Sequence, residues 1–133
     1  MDRRITPAEV ISILNHAADE ASKAGRHEDC LRLLKQAVQQ SARNFGTNHK
    51  LHAFSLIKMA ETYSELHKFQ EAADSYNEAL EVLLQVLTPS HMSIGIVYRN
   101  LTELYKTLDM SGKAKESELK AIEIFSKHNQ SYG

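Results

Sequence analysis

The chain repeats itself at a spacing of 42 residues. A forward shift of that length carries Leu56 onto Tyr98, Ala60 onto Thr102, Tyr63 onto Tyr105, Ala72 onto Ala114 and Ala79 onto Ala121. The reverse shift carries Leu56 onto Leu14, Ala60 onto Ala18, Ala72 onto Cys30, Tyr76 onto Leu34 and Ala79 onto Ala37. A fixed period of this size means that each unit is one supersecondary element, too small to bury its own apolar face and covered by its neighbours. Within residues 54–87 apolar and small side chains recur at helical spacing in two runs broken around His67 and Lys68, so the unit is a helical hairpin. Three units, at about residues 6–45, 46–87 and 88–128, predict an all-α chain of about six helices, stacked as one domain over 1–133 into a solenoid.

Local signals place the elements. Thr6, Pro7 and Glu9 form a capping-box pattern at the first helix, and Gly25 stops that helix in a left-handed conformation. Helix two should run from about His27 to Asn44, helix three from about Lys50 to Leu66, and helix four from Phe69 to Val86. Thr88, Pro89 and Ser90 look like a second proline-start helix cap, opening a helix five that ends near Leu108. After a turn over Asp109–Gly112, helix six should carry Ala114, Ala121, Ile122 and Phe125 inward, and residues from His128 onward read as a tail. The small residues Ala18/Ala60/Thr102, Cys30/Ala72/Ala114 and Ala37/Ala79/Ala121 mark helix crossings, where interaxial distances of roughly 8–10 Å leave little side-chain volume. Tyr63 and Tyr105 read as core.

Composition narrows the functions. Charged residues at 25% beside 42% apolar ones describe a globular chain. A net charge of −1 gives no footprint for nucleic acid. The opening residues lack the apolar run of a secretory signal, and no stretch approaches a membrane span. One cysteine, Cys30, forms no internal disulfide, so a reducing, cytoplasmic setting is expected. Cys30 reads as a small buried hydrophobe, and the pairs Glu61/Glu65 and Glu116/Glu118 as solvated helix charge. His49 and His52 lack the partners of a metal site. His49 and its repeat His91 are expected to hydrogen-bond at the starts of helices three and five. No phosphate loop and no nucleophile with its base is present, so neither cofactor nor metal nor catalysis is expected.

Leu56, Ala60, Tyr63, Ala72, Tyr76 and Ala79 match in order the large, small, Tyr, Ala, aromatic, Ala signature of the tetratricopeptide repeat, which this chain resembles. The 42-residue period, Gly46-Thr47-Asn48-His49 before a first helix and Asn100-Leu101-Thr102-Glu103-Leu104-Tyr105 inside one make it similar to the kinesin light chain type. The resemblance implies an α-α superhelix, a right-handed solenoid, and an adaptor whose concave wall, built from the first helix of each repeat, holds a segment of another protein or peptide. The register assigns to that wall Asn15 and Asp19 in repeat one, Phe54, Ile57, Lys58 and Glu61 in repeat two, and Ile96, Arg99, Asn100 and Glu103 in repeat three. Phe54 and Ile57 either anchor a partner or pack between repeats. Asn100 matches the groove asparagine of the kinesin light chain motif, but its repeats are Lys58 and His16, so that series is broken. The basic clamp that chaperone-tail-binding relatives use for a terminal carboxylate is absent, and Asp19 would oppose such a ligand.

A structural role is the second expectation. Few residues follow helix six, so Leu119, Ile122 and Phe125 could be left uncovered as a homo-oligomer or scaffold face. The polar Lys115 and Glu118 on the same helix favour instead a capping role for it.

Overall fold

The computed structural model describes residues 4–130. Six helices account for nearly all of them: α1 (Pro7–Lys23), α2 (His27–Phe45), α3 (Lys50–Glu65), α4 (Phe69–Val86), α5 (Met92–Thr107) and α6 (Ser111–Gln130). They pair as hairpins α1·α2, α3·α4 and α5·α6, and the hairpins stack through α2 on α3 and α4 on α5, with α1 also touching α3. The predicted crossings are all buried, from Ala18, Ala37, Ala60, Ala72 and Ala79 at 0% exposure to Ala121 at 5%. Cys30 is buried with its Sγ 3.4 Å from Thr62 Oγ1. The main core runs through the second and third hairpins, and Ala18, Ala21, Cys30 and Leu34 form a smaller one in the first.

Each hairpin turns the same way. Gly25, His67 and Asp109, spaced by the repeat, take φ of +76°, +59° and +57°. In each turn the amide two places past the C-cap donates to a carbonyl five residues back, as Arg26 to Ala21, Lys68 to Tyr63 and Met110 to Tyr105, all at 2.8 Å. These are Schellman closures, and two of the three hold a non-glycine residue in the left-handed region. Only the glycine announced itself in the sequence.

The helix starts separate into two kinds. At α1, Thr6 Oγ1 accepts from Glu9 N at 3.1 Å and Glu9 Oε2 accepts from Thr6 N at 3.3 Å, with Pro7 in the first turn. At α3 and α5 the caps are His49 and His91, whose Nδ1 atoms accept from Leu51 N and Ser93 N, both at 3.1 Å. The Phe45 ring stacks on His49 at 4.8 Å and helps to fix it. The expected Thr88-Pro89-Ser90 cap is therefore corrected. Leu87 is extended, His91 N donates to Thr88 O, and the proline sits in that turn ahead of the helix.

Helix six also departs from expectation. It begins at Ser111 and runs through His128 to Gln130, with a His128 Nε2 contact to Ser90 O at 2.8 Å, so the predicted tail is helical up to there. Residues 131–133 lie outside the described ones. Ile124 takes the inward position, while Ile122 faces solvent. Its repeat mate Leu80 is buried because α4 has α5 to cover it, and among the described residues α6 has no such neighbour.

Candidate peptide-binding groove

The first helices α1, α3 and α5 leave one strip each that no neighbour covers, and these strips enclose a furrow of three connected clefts. The first, of about 340 Å³, lies between α1 and α3, with Asn15, His16, Leu51 and Phe54 among its lining. Asp19 and Lys58 line it and also a narrower second cleft. Glu61 and Glu65 line the second cleft and a third of about 360 Å³, which reaches Tyr76, Asn100 and Glu103.

Charges across the furrow are coupled. Lys58 Nζ lies 2.7 Å from Asp19 Oδ1 and 5.2 Å from the Phe54 ring centroid. The Glu61 side chain reaches solvent, yet its carboxyl has lost enough water to raise its pKa; Lys58 opposes that rise and Asp19 adds to it. Burial and the Glu61 charge push the Tyr76 hydroxyl up to about 12, against the effect of a hydrogen bond with Asn100. Tyr76 thus stays a neutral phenol, able to donate, throughout the physiological range.

The predicted wall residues divide into groups. Asn15, Asp19, Phe54 and Lys58 meet in the first cleft, and Glu61, Asn100 and Glu103 in the third. Phe54 is 51% exposed, and Ile96 is also exposed. Ile57 is half-buried against the main core, because α3 is covered by α4, α2 and α1 and keeps a narrower free strip than the register implies. Arg99 belongs elsewhere: its guanidinium lies 5.7 Å from the ring centroid of Phe125 on α6, toward the end of the stack. Asp19, read as a repulsive charge, is neutralised by Lys58. Two lining residues were missed. From the sequence Glu65 reads as solvated helix charge, and Tyr76 as an aromatic of the repeat signature.

Asn77 on α4 donates to Tyr105 Oη at 2.9 Å and tightens the second junction between hairpins. On the last helix Leu119 and Ile122 are 57% and 52% exposed, whereas Phe125 is half-buried on the core. No described helix is long and apolar enough to cross a membrane. Among the described residues no group of three His, Cys, Asp or Glu side chains could hold a metal ion.

The tetratricopeptide repeat family model matches residues 9–85, more than half of the chain. This chain is a tetratricopeptide repeat protein. It is 30% identical over 105 residues to Protein KINESIN LIGHT CHAIN-RELATED 3 of Arabidopsis thaliana, covering 79% of this chain and 16% of that one. The crystal structure of BtubC (BKLC) from P. vanneervenii superposes with a TM-score of 0.87 at 24% identity, over 95% of this chain and 50% of that one. A Podospora anserina putative kinesin light chain with nearly identical TPR-like repeats gives 0.81 at 20% identity, over 95% and 59%. The tetratricopeptide chain therefore spans a small part of its curated relative and between half and three-fifths of the solved ones. These likenesses show the superhelical fold and the kinesin light chain type of repeat, an architecture generally used for protein–protein interaction.

Proposed function

We propose that this tetratricopeptide protein is a non-catalytic adaptor, a single domain of three repeats that holds a segment of a partner protein in its concave furrow within the cytoplasm. The observation that carries this reading is Phe54: an aromatic ring half-exposed in the second turn of α3, on the wall of an open cleft and beside a paired lysine. Exposed rings so placed are the usual anchors of peptide grooves, flanked by charge that sets register. The test uses peptides selected on the protein from a random dodecapeptide display library. Amide shifts on titration should move on α1, α3 and α5, and Phe54→Ala should weaken binding at least tenfold. Shifts confined to α2 and α4 would reject the assignment.

Leu119 and Ile122 support a second reading, self-assembly through α6. They occupy the repeat positions of Asn77 and Leu80, which in the preceding hairpin face the next one. Light scattering over a range of concentrations decides this. A dimer that Ile122→Glu dissociates would favour assembly, and a monomer in both proteins removes it.

A further inference from the structure

We propose that the segment held in the furrow is basic, with an apolar side chain seated against Phe54 and Lys or Arg side chains lying along Glu61 and Glu65. This deepens the groove reading and rests on it.

The charge balance of the furrow gives the first reason. Lys58 is matched by Asp19 at 2.7 Å, and Lys106 lies 3.8 Å from Glu103 at the far end. Glu61 and Glu65 form no ion pair among the described residues, and both face the two clefts they share. The one further cation of the predicted wall, Arg99, lies over Phe125 instead. The floor therefore carries uncompensated negative charge. A cation from a partner would find the Glu61 carboxylate already partly stripped of water, so that its attraction is less screened than on an open surface.

A second, independent observation supports a ligand in the furrow. Asn15 is 8% exposed, lines the Phe54 cleft, and its Oδ1 has no hydrogen-bond partner among the described residues. Buried acceptors are nearly always satisfied, so an orphan on a residue that lines an open cleft is a group that an incoming donor would satisfy once the side chain turns toward it. An extended peptide supplies such N–H groups at the spacing of its side chains. An amide held at Asn15 places a neighbouring side chain near Phe54 and Leu51. The same cleft continues past Asp19 and Lys58 into the acidic stretch, so one short segment can meet all three features.

The experiment reads the composition of the peptides enriched from the dodecapeptide library, then the affinity of the most enriched one, fluorescein-labelled, by anisotropy. The variants are Glu61→Lys/Glu65→Lys, the milder Glu61→Gln/Glu65→Gln, Phe54→Ala, and Glu81→Lys, an exposed charge reversal on α4, as a control outside the furrow. Enrichment of Lys or Arg beside an apolar residue is expected. Affinity should fall roughly tenfold or more on charge reversal and less with the glutamines, weaken with added salt, and hold in the control. Acidic or uncharged peptides that still lose affinity with Phe54→Ala would overturn the basic partner and leave the groove standing. Binding indifferent to Phe54→Ala and to both charge variants would overturn both readings.

Discussion

Ser55→Ala should stabilise the protein, against the usual sign for shortening a core side chain. Ser55 is fully buried on α3 and its hydroxyl has no partner among the described residues, as is true of Ser41 on α2. One repeat later the same positions hold Val97 and Leu83, both buried and apolar. An unpaired buried hydroxyl costs roughly 1–3 kcal/mol. Removing it leaves little void, and alanine gains up to about 0.5 kcal/mol of helix preference over serine. The expected net is a gain of about 1–2 kcal/mol in urea unfolding by linear extrapolation. That corresponds to a rise in Tm of roughly 4 °C per kcal/mol for a chain of this length. A loss of more than about 0.5 kcal/mol would mean that the hydroxyl is satisfied, by a trapped water or a bent helix carbonyl, and would refute the reasoning. The same contrast, with His52 against Ile94, loads the first junction between hairpins with unpaired buried polar atoms where the second has apolar side chains. Hydrogen exchange should show α1 and α2 opening before α5 and α6 do.

Other outcomes follow from single sites. Burial lowers the His52 pKa below its ordinary 6.5, against Glu78 and the Val38 carbonyl, so the unfolded chain takes up a proton that the native state refuses. Stability should therefore be full above pH 6.5 and fall as the pH drops through the native pKa, with a shallower fall in His52→Gln, read from urea midpoints. Gly25→Ala meets no atom within 4 Å, so its loss, roughly 1 kcal/mol by thermal unfolding, reports only the strain at φ +76° less the entropy removed from the unfolded chain. Ala72→Leu overpacks a crossing of 0% exposure and should cost roughly 1–3 kcal/mol in the same assay. Lys58→Met leaves Asp19 and Glu61 without their cation, and the Glu61 pKa followed by carbon NMR should rise further.

Much of the architecture was legible in the chain because the repeat writes its packing three times. Ala18, Ala60 and Thr102 are small for one reason, and a period shared by such triplets cannot arise from surface residues. Thr6 with Glu9, and Gly25, likewise act through neighbours a few residues away, so local spacing reveals them. The histidine caps were also within reach, since His49 and His91 precede helices at the repeat distance. Pro89 misled because a proline near a helix start fits either the first turn or the loop before it. Only the path of the preceding chain decides which.

The candidate site was less legible, for a reason particular to solenoids. A register tells which face of a helix points away from its own partner, but not how much of that face the next hairpin covers. Ile57 and Arg99 share a register with exposed groove residues; one is packed on the core and the other is drawn to Phe125. The Lys58–Asp19 pair joins residues 39 apart on different hairpins, and no local pattern encodes it.

The sequence by itself determined the repeat, the number of helices, the crossings and the family, because those depend on spacing along one chain. The tertiary structure alone decided that Asn15 is orphaned, that Glu61 is short of water and close to Tyr76, and that Arg99 leaves the furrow. Hydration and charge pairing depend on which groups from separate hairpins come within a few ångströms, and that is set by the stacking of the superhelix.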